Sequence, residues 1–131
     1  MFILDTNVVF ELRKAKAGKA DANVVVWAED QDPSALCLSA ITLLELEMGV
    51  RQMERRDSPQ DAALRAWMSD RVLPVFEGRI LPADGPVALC CAALHVPDLR
   101  SDRDALIAAT GITHAMPIVT RNVADFEPTG V

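Results

Sequence analysis

The 131-residue chain is predicted to fold as an α/β domain, a parallel sheet flanked by helices, on three observations. Short apolar, β-prone runs alternate with longer segments of helical pattern, the order that builds parallel sheets. Capping residues and prolines punctuate the helical segments at their starts. The apolar half of the composition is poor in aromatics, with no Tyr, four Phe and two Trp, so the core must be mostly Ala, Val, Leu and Ile. A single domain over 1–131 is the natural expectation at this length, which suffices to bury roughly two-thirds of the unfolded surface.

The elements follow in order. Met1–Leu4 is a short apolar run that reads as a buried strand ending in Asp5-Thr6-Asn7. Val8–Arg13 reads as a first helix, followed by an exposed basic loop with Lys14, Lys16 and Lys19 around Gly18. Asp21–Asp30 reads as a second helix and Ala35–Leu38 as a second strand. Ser39 stands at an N-cap position, and a helical pattern runs from it to about Arg56. Ser58-Pro59-Gln60-Asp61 combines a cap, a proline at the first position and an acid in the first turn, predicting a helix to Leu73, where Pro74 should stop it. Arg79–Leu81 reads as a third strand, and Asp84 caps a helix through about His95. Ser101-Asp102-Arg103-Asp104 opens a helix through His114, Pro117–Thr120 reads as a late strand, and Arg121–Phe126 as a turn.

Composition narrows the function. The net charge of −6 argues against a protein that binds nucleic acid by broad phosphate neutralisation. It is compatible with an enzyme that meets phosphate through bound cations, whose site must itself be rich in carboxylates. Cys37, Cys90 and Cys91 are odd in number and form no CxxC, which argues against a disulfide framework or a structural zinc site and favours packing in a reducing compartment. Asp5 interrupts any N-terminal apolar segment, and no apolar run approaches a membrane span of about 20 residues, so a cytoplasmic protein is expected.

Ligands of parallel sheets bind beyond the carboxyl ends of strands, where Asp5 and Arg121-Asn122 both fall. Asp5 reads equally as a metal ligand or a helix cap. Glu45 lies in a helix so apolar around it that a carboxylate there is costly unless paired or on a metal. Glu47 has Arg51 four residues on, whereas Glu45 has Met48 and Gly49 at those offsets, with Thr42 on its face and Gly49 leaving approach unobstructed. Asp104 reads either as a capping-box acid behind Ser101 or as a ligand held at a helix start, with the neighbouring Asp102 more exposed. Asn122 and Asp125, taken singly, read as a turn residue and a solvated acid. Acids converging at one edge raise one another's pKa, and divalent cations remove that repulsion. His95 and His114 sit at helix ends and suggest no nucleophilic triad; no P-loop or GxGxxG occurs.

Five motifs in order, Leu4-Asp5-Thr6-Asn7, Ser39-x-x-Thr42-x-x-Glu45-Leu46-x-x-Gly49, Arg79-Ile80-Leu81-Pro82-x-Asp84, Asp104-x-x-Ile107-Ala108-Ala109-Thr110 and Thr120-Arg121-Asn122-x-x-Asp125-Phe126, resemble those of the PIN-domain toxins, the VapC-like ribonucleases, with particular likeness to the FitB branch. The resemblance spans nearly the whole chain. It implies a PIN fold with about four or five parallel strands, and Mg²⁺- or Mn²⁺-dependent endonucleolytic cleavage of RNA. It makes Asp5 and Asp104 the principal metal ligands and Glu45 a third acid. The fourth position falls either at Asn122 or at Asp125, of which Asp125 is the acid. Thr6, Asn7, Thr42, Thr120 and Asn122 become the donors that orient the carboxylates. A cognate antitoxin and a homodimer are implied in the same way.

Two other readings compete: a catalytically weak PIN-fold partner of an antitoxin or RNA, suggested by Asn122 and the acidic charge, and a phosphatase of another α/β fold, which lacks support because no DxD follows the first strand. Lys14, Lys16, Arg51, Arg55 and Arg56 are candidate RNA contacts, as readily a solvated rim.

Overall fold

A computed structural model describes residues 1–15, 18–56 and 61–131. The cap predicted at Ser58 and the side chain of Lys16 lie outside the described residues.

Four parallel strands form one sheet in the order β3-β2-β1-β4, with β1 Phe2–Leu4, β2 Leu36–Ser39, β3 Ile80–Leu81 and β4 Ile118–Val119. Phe2 pairs with Leu36, Ile3 with both Cys37 and Ile118, and Leu38 with Ile80. The central strands are buried on both faces, which is why Ile3-Leu4 and Leu36-Cys37-Leu38 read as continuous apolar runs rather than alternating ones.

The helices are α1 Thr6–Arg13, α2 Ala22–Glu29, α3 Ala40–Arg55, α4 Asp61–Trp67, α5 Leu73–Val75, α6 Gly85–Leu94 and α7 Asp102–Thr113. One core cluster joins Leu4, Leu36 and Leu38 of the sheet to Val8 and Val9 of α1, Leu46 and Val50 of α3, and Leu64, Met68, Val72 and Phe76 beyond. On α7, Ile107 and Ala108 pack with Phe126, while Ala105 and Ala109 meet Val87 and Cys91 of α6. All three cysteines are free, Cys37 and Cys91 in the core.

Pro74 does not end its helix. The chain passes from α4 through a π-helical turn, Met68–Val72, into α5, which carries Pro74. The Leu73 N–H donates to Met68 O, five residues back. This wider register relieves the clash between a proline ring and the carbonyl four residues before it. The first helix begins two residues earlier than its apolar pattern, because Asp5 caps it. The second strand loses Ala35 to a 3₁₀ turn capped by Asp32, and the third loses Arg79. Gly49 leaves no opening at the site: a Cβ there would stand 3.1 Å from Phe10 Cζ, so the glycine lets α1 and α3 pack closely. No helix among the described residues is long and apolar enough to cross a membrane.

Candidate active site

Because the strands are parallel, their carboxyl ends share one edge, and the polar residues that follow them meet there. Asp5 follows β1, Ser39 ends β2 and Thr120 follows β4. Asp5 is both a cap and a site acid. Its Oδ1 accepts from Thr6 N (2.8 Å), and its Oδ2 accepts from the Thr120 hydroxyl (2.8 Å). It is only 6% exposed.

Ser39 caps α3 through Thr42 N (3.0 Å), which sets the helix's rotation and turns Thr42 and Glu45 towards α1. The Thr6 hydroxyl donates to Glu45 Oε1 (2.8 Å) and lies 3.3 Å from Thr42 Oγ1. The Thr6–Glu45 bond thus ties the start of α1 to the middle of α3. Asn7 does the same towards β4: its amide donates to Thr120 Oγ1 (3.3 Å), and its Oδ1 accepts from Arg121 N (3.1 Å). Asn122 contributes its backbone N–H, which donates to Thr120 Oγ1 (3.0 Å), while its side chain is exposed.

Asp104 stands in the first turn of α7. The capping-box reading fails, because the Ser101 side chain makes no capping bond. Among the described residues the Asp104 carboxylate accepts no hydrogen bond. Asp102 is solvated, with 91% of its side chain exposed. Asp125 lies in the 3₁₀ turn Val123–Asp125.

The four acids act on one another. Burial raises Asp5 above the ordinary carboxyl range; the Thr120 and Thr6 bonds oppose this, and the charges of Glu45 and Asp125 add to it. Burial also raises Asp104, reinforced by Asp5, Asp125 and Glu45 and partly offset by Arg103. Among the described residues no group of three His, Cys, Asp or Glu side chains is assembled to hold a metal ion as it stands. Asp5 and Asp104 each feel the charges of other acids of the set.

Two residues of this region escaped the sequence reading. Glu11 of α1 is buried and accepts from Asp21 N (2.7 Å), Lys14 Nζ (3.3 Å) and Arg121 Nη1 (2.9 Å), which anchors the loop after Thr120. Only the Lys14 spacing was legible as a signal. Arg103 places Nη1 3.7 Å from Glu45 Oε2, the basic partner that Glu45 lacks on its own helix. Glu47, as expected, pairs with Arg51 (2.7 Å), and also with Arg65 (2.8 Å). His95 and His114 cap helix C-termini and stand apart from the acids' hydrogen-bond network.

The family model described as the PIN domain matches residues 2–127. The chain is 35% identical to the VapC ribonuclease Y4jK of Sinorhizobium fredii, across all of this chain and 94% of that protein. It is 33% identical to the toxin FitB of Neisseria gonorrhoeae, across 96% of this chain and 91% of that one. The solved structure of FitAcB from Neisseria gonorrhoeae superposes with a TM-score of 0.87 at 32% identity, covering all of this chain and 94% of its own. With a family model that covers residues 2–127 and a relative 35% identical across the whole of it, this chain belongs to the PIN domain family.

Proposed function

We propose that the protein is a metal-dependent endoribonuclease, the toxin of a type II toxin–antitoxin pair, cleaving RNA phosphodiester bonds at the carboxylates around Asp5. The observation that carries this reading is the gathering of Asp5, Glu45, Asp104 and Asp125 about the carboxyl edge of the sheet, where burial first and the charges of neighbouring acids second raise the pKa values of Asp5 and Asp104. A fold that holds like charges together without neutralising them stores an affinity for cations.

The donors fit a hard divalent cation such as Mg²⁺ or Mn²⁺, since all are carboxylate oxygens. Asp5 and Asp104 would hold it, Asp104 with a carboxylate that no donor occupies among the described residues. When bound, the metal neutralises phosphate charge and lowers the pKa of a water nucleophile. The protein's own residues do the positioning. Thr120 and Thr6 N fix the Asp5 carboxyl, the Thr6 hydroxyl fixes Glu45 with Thr42 beside it, and Asn7 holds the loop that carries Thr120. Asp125 adds negative charge from the opposite turn.

The toxin role is supported by relatives named as VapC ribonuclease and toxin; an antitoxin partner, cytoplasmic residence and a homodimer are what the family resemblance implies. The test is digestion of total RNA by the isolated protein with Mg²⁺, with Mn²⁺ and with EDTA, beside a thermal melt with Mn²⁺. Metal-dependent cleavage and a melting temperature that climbs with metal concentration, following a stabilisation of RT ln(1 + [L]/Kd), support it. Neither effect would favour a PIN-fold binding partner instead.

A further inference from the structure

We infer that Arg103 is an RNA-phosphate clamp, a guanidinium paired loosely with Glu45 in the free protein that transfers to a phosphodiester of the RNA strand entering the acidic site. The inference rests on the ribonuclease reading above.

Arg103 is the second residue of α7, between Asp102 and Asp104. A cation in the first turn of a helix opposes the macrodipole and costs stability. Local rules broken without local compensation concentrate at functional sites. Its direct contacts are loose: 3.7 Å to Glu45 Oε2 and 3.6 Å to Met48 Sδ, with 49% of the side chain exposed.

Other arginines are committed to the fold. Arg121 bonds the buried Glu11 at 2.9 Å, and Arg65 bonds Glu47 and Glu54 at 2.8 and 2.7 Å. Arg79 donates to Leu36 O (2.9 Å) and Arg100 to Leu94 O (2.8 Å). Arg103 alone among these stands at the acids with its donors mostly unused. Glu45 loses little when Arg103 leaves, because its Oε1 keeps the Thr6 hydroxyl. Four carboxylates repel an approaching phosphate, and a planar guanidinium at their rim offers it two parallel N–H bonds.

The test compares RNA binding in an Asp5→Asn parent, which removes cleavage, with Arg103→Ala and Arg103→Lys added to it. The probe is a short, labelled, mixed-sequence single-stranded RNA, titrated at constant Mg²⁺ over a range of salt. Arg103→Ala should weaken binding about fivefold, as for one exposed ion pair. It should also flatten the plot of log affinity against log salt by about 0.7, the loss of one phosphate contact. Arg103→Lys should keep the slope. Melting curves show that each variant is folded before its binding is compared. An Ala variant with the parent's slope and affinity overturns the proposal and leaves Arg103 as a partner of Glu45 only. RNA cutting by the Asp5→Asn parent would instead count against the assigned metal site; the same comparison in EDTA then decides Arg103 alone.

Discussion

Replacing Thr120 by Val removes one hydroxyl with almost no change of shape, and its consequences can be worked through. The hydroxyl donates to Asp5 Oδ2 at 2.8 Å, and its oxygen accepts from Asn7 and Asn122 N. Asp5 is almost fully buried, so water cannot replace the lost donor. A hydrogen bond to a charged group contributes about 1.5–3 kcal/mol. In a chain of this size that corresponds to a fall in melting temperature of roughly 5–10 °C. The loss should depend on pH. Burial already holds the Asp5 pKa above its ordinary 3.8, and Thr120 is the strongest influence opposing it. The substitution therefore raises that pKa further, destabilising the ionised form more than the neutral one. A raised carboxyl pKa means stability present in acid and lost as pH rises through the folded pKa. The gap between wild type and Thr120→Val should thus be full at neutral pH. It should shrink as pH is lowered through the folded-state values, both above 3.8, towards that of a neutral hydrogen bond. Denaturant unfolding in EDTA across this range measures it. A gap independent of pH would refute the assignment of Thr120 as the donor that stabilises ionised Asp5.

Further predictions follow from the same geometry. Asp104→Asn should raise the metal-free melting temperature at neutral pH, because it removes a charge that burial and three acids disfavour, while it abolishes metal-dependent cleavage; differential scanning calorimetry in EDTA reads the first effect. That gain should fade in acid, where wild-type Asp104 is protonated. Asp5→Asn should be stabilised less in the same scan, since the change replaces one of the oxygens that cap α1 and accept from Thr120. Gly111→Ala should cost about 1–3 kcal/mol, because its Cβ would meet Ile118 Cδ1 and Val131 Cγ2 at 2.8 Å and Met116 O at 2.9 Å; urea unfolding with an unchanged m-value checks it. Gly49→Ala should cost less, since the atom it meets is the far end of the Phe10 ring.

What could be read from sequence followed local chemistry. Asp5 was ambiguous between cap and ligand because both roles need a carboxylate just past a strand; the structure shows the cap, with Oδ1 on Thr6 N, and gives Oδ2 to the Thr120 hydroxyl. Glu45 stood out because an acid in an apolar helix turn needs a partner; its hydroxyl donor comes from Thr6, on another element. The capping-box alternative for Asp104 had the right spacing, yet Ser101 does not complete it. Legibility ended where partners are distant in the chain. Glu11 finds Arg121, and Arg103 finds Glu45, only after the sheet has brought α1, α3 and α7 to one edge. Pro74 misled for another reason: proline forbids the regular i to i−4 register, and the chain answers with a π turn rather than a stop.

The central claim is that Asp5 and Asp104 together hold the metal with which the protein cuts RNA. Its most direct test is cleavage of total RNA by wild type, Asp5→Asn and Asp104→Asn, each shown to be folded, with Mg²⁺, Mn²⁺ or EDTA. The account predicts cleavage by wild type with metal only, and none by either variant. Cleavage that persists unchanged in either variant, or in EDTA, would contradict it.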